Sequence, residues 1–143
     1  MPLGPDDSPG LLLWRATLRW QRAVAAALAP FDLTHVQFVL LACTDWLNRQ
    51  GELPNQLAVA TFADTDVKMT SQVVRKLEEK GLLVRAFDPV DSRARLLRVT
   101  DRGAELIRRA VEEVERADAE FFRAVPDTAG LNTILRRLAG RQP

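Results

Sequence analysis

The chain contains one cysteine and one histidine in 143 residues. With Cys43 alone, an intramolecular disulfide and any multi-cysteine metal site are excluded. With His35 alone, zinc hydrolase chemistry has almost no ligands. No Ser/His/Asp, Cys/His or metal-ligand constellation can be assembled, so the sequence points away from an enzyme, a metal and a cofactor. A charge excess of one sign is also lacking. Twenty basic against 19 acidic residues leave +1, and any case for nucleic acid rests on where the charges sit. No apolar run approaches the roughly 18 residues of a membrane span. Residues 1–9 are acidic and rich in Pro and Gly, without a basic n-region. They read as a flexible tail and not as a signal peptide. The expected setting is cytoplasmic, with no membrane partner.

What is present is helical periodicity. Apolar residues at 47% and charged residues at 27% suit one globular domain, here residues 10–143. A first helix is expected from Leu11 to Ala29. Arg15, Arg19 and Arg22 form its polar stripe. Trp14, Leu18, Ala25 and Leu28 flank that stripe on one side, and Leu13, Trp20, Val24 and Ala27 on the other. This apolar arc is wider than a core-facing stripe needs, and a second subunit is the simplest cover for the excess. Thr34-His35-Val36-Gln37 fits a capping box. It opens a second helix, apolar nearly all round, through Phe38 to Cys43 and Trp46-Leu47. Pro54 suits the first turn of a third helix reaching about Phe62, with Leu57, Ala58 and Phe62 as core candidates. Asp66 caps a fourth, which ends at Gly81. Its inward stripe is Thr70, Val73, Val74 and Leu77. Its outer stripe is Lys68, Ser71, Gln72 and Arg75.

Then the period changes. Leu82 to Phe87 and Arg95 to Val99 read as two short strands joined by residues 88–94. Thr100-Asp101 opens a fifth helix to about Ala124, with Leu106, Ala110, Val114 and Phe121 recurring. Pro126 breaks it, and Asp127 caps a sixth helix with the stripe Leu131, Ile134, Leu135 and Leu138. The expected fold is mainly α with a small β-hairpin. Two short helices about a tight turn, followed by a hairpin, make a winged helix-turn-helix, whose second helix lies in a DNA major groove. Gln72 and Arg75 suit purine edges, while Lys68 and Ser71 suit phosphates. Arg93, at the hairpin tip, suits the narrow, negative minor groove. Asp91 can orient it, and Arg95 can reach a phosphate. The plainer reading is a solvated helix face and a surface ion pair worth little. Adjacency of that face to the wing favours DNA.

The stretch "TSQVVRKLEEKGLLVRAFDPVDSRARLLRVTDRG", residues 70–103, resembles the heart of the MarR family of bacterial transcription regulators. The match includes the LEEKGL helix end, the D-x-R wing (Asp91-Ser92-Arg93) and the L-x-x-T-x-x-G exit from Leu97 to Gly103. "LTHVQFVLL" at 33–41 resembles the family's second helix. The resemblance implies a winged helix-turn-helix at about 34–100, between dimerisation helices at about 10–29 and 101–140. It implies a homodimer on a pseudo-palindrome of double-stranded DNA, most simply a repressor. Release by a small aromatic or phenolic ligand, or by cysteine oxidation, is implied too. The family's ligand cleft lies between dimer helices and winged domain. Trp14, Leu18, His35 and Phe38 are the candidates for it here.

Several residues keep two readings. Trp14, Trp20 and Trp46 pack the dimer region or line the cleft. His35 is simply exposed, or takes part in ligand or proton sensing. Cys43 shares a stripe with Val39, Leu40 and Leu47, which favours core packing over a redox role. The family's oxidation sensors carry their cysteine nearer the N-terminus. Met69 departs from the small or polar residues common there in the family, and either meets a thymine methyl or packs. The competing function is a winged-helix protein-interaction module without specific DNA binding. Its affinity would lack the steep salt dependence of phosphate contacts.

Overall fold

The computed structural model describes residues 2–91 and 93–141. Along them run α1 (Pro9–Leu28), α2 (His35–Arg49), α3 (Gln56–Ala63) and α4 (Val67–Glu79). An antiparallel hairpin follows, β1 (Leu83–Phe87) and β2 (Arg95–Val99), then α5 (Asp101–Phe121) and α6 (Thr128–Leu138). Short 3₁₀ turns follow α1 at Ala29–Phe31 and α5 at Phe122–Ala124. This is the mainly helical, winged architecture that the patterning predicts. Among the described residues, no single helix is long and apolar enough to cross a membrane.

The core gathers Val24 and Leu28 of α1, Leu40 and Leu41 of α2, Val74 and Leu77 of α4, Leu97 of β2 and Ile107 of α5. Helix α2 is central and packs on α1, α3, α4, α5 and β2. Its near-continuous apolar surface requires such a position. The Thr34 capping box forms: Thr34 Oγ1 accepts from Gln37 N and Gln37 Oε1 accepts from Thr34 N, each at 3.2 Å. Helix α1 begins at Pro9, two residues before its apolar periodicity, because Ser8 caps it by accepting from Leu11 N.

Helix α3 departs from expectation. Pro54 lies outside it, and Asn55 is the cap, its Oδ1 accepting from Ala58 N at 2.8 Å. The side that reaches α2 and α4 carries Val59 and Ala60, which are buried. Leu57, Ala58 and Phe62 are exposed instead of forming the core. Pro54 serves the hairpin: its carbonyl accepts from Leu97 N at 2.7 Å.

One junction joins α4, β1 and α5. Gly81 takes a φ of +74°, open to glycine at little cost. Gly81 N then donates to Glu78 O at 2.9 Å and Leu82 N to Leu77 O at 3.0 Å, the Schellman pair that ends a helix. Thr100 N donates to Leu82 O at 3.0 Å and Thr100 Oγ1 to Gly81 O at 2.8 Å. The same hydroxyl accepts from Gly103 N at 3.0 Å and caps α5. A Cβ on Gly103 would fall 2.0 Å from Leu82 O. The hairpin therefore leads straight into a helix because that helix start closes the wing against the end of α4.

A second junction holds α1 to α2 and α5. Trp20 Nε1 donates to Asp118 Oδ1 at 2.8 Å. The Trp20 and His35 rings meet edge-on with centroids 5.0 Å apart. His35 is half-buried; burial pushes its pKa down, and the Asp118 charge opposes this more weakly. Trp20 thus packs within the chain's own fold.

Two outcomes follow from these junctions. Gly103→Ala should cost about 1–3 kcal/mol through the forced overlap, read as a lower denaturant midpoint with the helical circular dichroism of the folded state retained. For His35, folding favours the neutral form. That contribution is complete above its ordinary value of 6.5 and is lost as pH falls through the lowered folded-state value. The denaturant midpoint should therefore fall more on acidification below pH 6.5 in the wild type than in His35→Gln; equal slopes would contradict it.

Candidate nucleic-acid interface

Helix α4 is built to expose one face. Asp66 caps it, Oδ2 accepting from Met69 N at 2.9 Å. The tight turn before it uses Asp64 at φ +58° and a bond from Thr65 N to Ala60 O at 2.9 Å. The buried Thr70 hydroxyl donates to Asp66 O at 2.7 Å and lies 2.7 Å from the Thr65 hydroxyl. Thr70, Val73, Val74 and Leu77 are then buried. Lys68, Gln72 and Arg75 stand exposed on the opposite side, with Ser71 half-buried on the flank.

The charges on this face are not internally satisfied. Among the described residues, Lys68, Gln72 and Arg75 form no ion pair or side-chain hydrogen bond, whereas two of the exposed arginines of α5 do. Arg108 pairs with Glu105 and Glu112, and Arg116 with Glu113. This face therefore presents two cations and an amide directly to solvent.

The hairpin is fixed beside that face. Leu83 pairs with Val99 and Phe87 with Arg95 at its two ends. Arg85 of β1 donates to Glu78 of α4 at 3.0 and 3.4 Å. The free edge of β2 is held from α2 and the α3 approach. Asn48 Oδ1 accepts from Val99 N at 2.9 Å, and Asn48 Nδ2 donates to Leu97 O at 3.2 Å. Asn48 escaped sequence reasoning. Its only signal is a polar amide directly after Trp46-Leu47.

At the tip, Asp88 Oδ1 accepts from Val90 N at 2.8 Å, and Asp91 Oδ1 accepts from Arg93 N at 3.0 Å. Asp91 thus shapes the backbone. Its ion pair with the Arg93 guanidinium is looser, at 3.8 Å, and the Arg93 side chain is 95% exposed. Ser92, the middle of the D-x-R motif, lies outside the described residues. The Arg95 guanidinium lies 3.8 Å over the Phe87 ring and donates to Ala94 O at 3.2 Å. It is held along the hairpin, with its charge displayed beside an exposed aromatic ring.

The effector candidates are less gathered. Trp14 projects from α1 at 63% exposure, and Leu18 and Phe38 are partly buried. His35 meets Trp20 and not Trp14. A separate cleft of about 380 Å³, lined by Phe31, Lys80, Leu82, Arg102 and Arg109 among others, includes none of the four. Cys43 is half-buried. Burial raises its pKa, opposed by the Arg141 charge, which suppresses the reactive thiolate.

Known proteins share this arrangement. The MarR family model matches residues 33–94. The chain is 49% identical over 121 residues to the uncharacterized HTH-type transcriptional regulator YdcH of Bacillus subtilis, covering 85% of this chain and 82% of that protein. A MarR-family transcriptional regulator from Rhodococcus sp. RHA1 superposes with a TM-score of 0.79 at 32% identity, over 91% of each chain. CouR of Rhodococcus jostii RHA1, solved with p-coumaroyl-CoA, matches with a TM-score of 0.81 at 29% identity, over 96% of each chain. The transcriptional repressor CouR bound to a 23-mer DNA duplex gives 0.81 at 27%, over 98% of each. Sequence identity and fold agree over most of the chain's length: it belongs to the MarR family of helix-turn-helix transcription regulators and is a regulator, not an enzyme.

Proposed function

We propose that this regulator is a homodimeric repressor that binds a pseudo-palindromic operator. The observation that carries the reading is the unpaired outer face of α4 beside a hairpin whose tip arginine, Arg93, is solvent-exposed and only loosely paired with Asp91. In this reading Gln72 and Arg75 read base edges, Lys68 and Ser71 hold phosphates, and Arg93 enters the minor groove. Asp91 sets the tip backbone, and Arg95, stacked on Phe87, meets the DNA backbone. Residues 34–100 are the reading unit, and the helices at 10–29 and 101–140 form the dimer. Support for the dimer is the apolar surface of Leu12, Leu13 and Trp14 on α1 and Ile134, Leu135 and Leu138 on α6, all exposed in the single chain. No residue of α6 is buried, so the helix lacks the apolar cover that stabilises short helices.

Two recognition helices of such a dimer enter successive major grooves about 34 Å apart. A small aromatic ligand bound between α1, α2 and the winged part, near Trp14, Leu18, His35 and Phe38, favours another spacing. It releases DNA by its differential affinity for the two states. CouR, which has been solved with DNA and with p-coumaroyl-CoA, supports this type of control by analogy. A cytoplasmic location fits the role.

Arg93→Ala should weaken specific DNA binding by about 1–3 kcal/mol while leaving the thermal transition unchanged. Unaltered affinity at physiological salt would remove the wing from the mechanism. Sedimentation equilibrium should give twice the 16.0 kDa chain mass; a stable monomer would contradict the role assigned to α1 and α6.

A further inference from the structure

The first turn of α4 carries a feature that capping and packing leave unexplained. The helix turns Thr70, Val73, Val74 and Leu77 inward and keeps its outer face polar. Yet Val67 is 53% exposed and Met69 38% exposed. They flank Lys68 at the end of the helix where Asp66 supplies the cap. The cap needs only the Met69 backbone N–H, so neither side chain is required for helix initiation. A β-branched residue and a thioether thus keep a large share of their apolar surface in water at the start of the helix.

The first turn of a groove-reading helix is where side chains meet base edges. The major groove presents one apolar group there, the 5-methyl of thymine. We propose that Val67 and Met69 recognise thymine methyl groups, so that each operator half-site carries thymine opposite the N-terminal turn of α4. This rests on the DNA-binding reading above and adds a base preference to it. Met69 is unbranched and polarizable, and adapts to a methyl displaced along the groove. Val67 is stiff and demands a fixed position. Lys68 between them and Ser71 and Gln72 one turn on supply the polar contacts. This interleaving of apolar and cationic side chains on one turn favours DNA over a protein partner, for which a contiguous apolar patch is expected.

The test uses the full-length protein. A preferred duplex is selected from a random library, then remade with deoxyuridine replacing each thymine, which removes only the methyl group. Affinities are compared by fluorescence anisotropy at one fixed salt concentration. The wild type should lose about threefold per contacted methyl at one or two positions in each half-site. Val67→Ala/Met69→Ala should bind thymine and uracil duplexes equally, and Met69→Leu should keep the preference. Circular dichroism establishes that the variants fold. If the double variant does not fold, the wild-type uracil series alone decides the question. A selected duplex whose uracil form binds the wild type as tightly overturns the inference and leaves DNA reading intact. So does an undiminished uracil penalty in the folded double variant. If no sequence is enriched above random, DNA reading itself falls, and this inference with it.

Discussion

The rest of the structure depends on the contact between the start of α5 and the backbone carbonyls of Gly81 and Leu82. Three elements converge there: the end of α4, the start of β1 and the start of α5. The contact is made of backbone and one hydroxyl, since Thr100 bonds both Gly81 O and Leu82 O. It is possible only because Gly103 has no side chain. Flexible side chains can adjust to strain, but a peptide carbonyl 2.0 Å from where a Cβ would stand cannot. The angle between α4 and the wing is therefore fixed by main-chain geometry, and the Arg85–Glu78 pair and the Asn48 clamp reinforce it from either side.

The same junction makes the winged part and α5 one mechanical unit. Helix α5 lies along α1 and is tied to it by the Trp20–Asp118 bond. In the proposed dimer, a change in how α5 sits against α1 moves the recognition helix with it. Half-site spacing is then the quantity an effector alters, and a packed interface of this kind switches between discrete arrangements. The near-neutral net charge suits such a reader. In the proposed reading, Lys68 and Arg75 stay unpaired on one face while Arg108 and Arg116 of α5 are paired within their own helix, so placement and not bulk charge carries the selectivity.

Much of this was legible in the sequence because caps and turns are local chemistry. The Thr34 box, the Asp66 cap, Gly81 and the Thr100-to-Gly103 exit each write their geometry within a few residues. The inward stripe of α4 was equally readable, since four buried positions repeat at helical spacing. Tertiary competition was not readable. Leu57 and Phe62 look like core residues, but Asn55 starts α3 where Val59 and Ala60 meet α2 and α4. Asn48 finds its partners about fifty residues away, at Leu97 and Val99, and no local pattern signals that. Asp91 was read as a partner for a guanidinium, whereas its nearer partner is a backbone N–H. Among the effector candidates, periodicity places Trp14 and Leu18 on one flank of a helix but not against His35 and Phe38, which lie on another element.

The most direct test of the account is an anisotropy titration of the protein against the DNA flanking its own gene, across a salt series with random duplex as competitor. The account predicts tight binding that survives competitor and weakens steeply with salt, with a slope reflecting several phosphate contacts. Binding no tighter than to random DNA, or an affinity indifferent to salt, would contradict it.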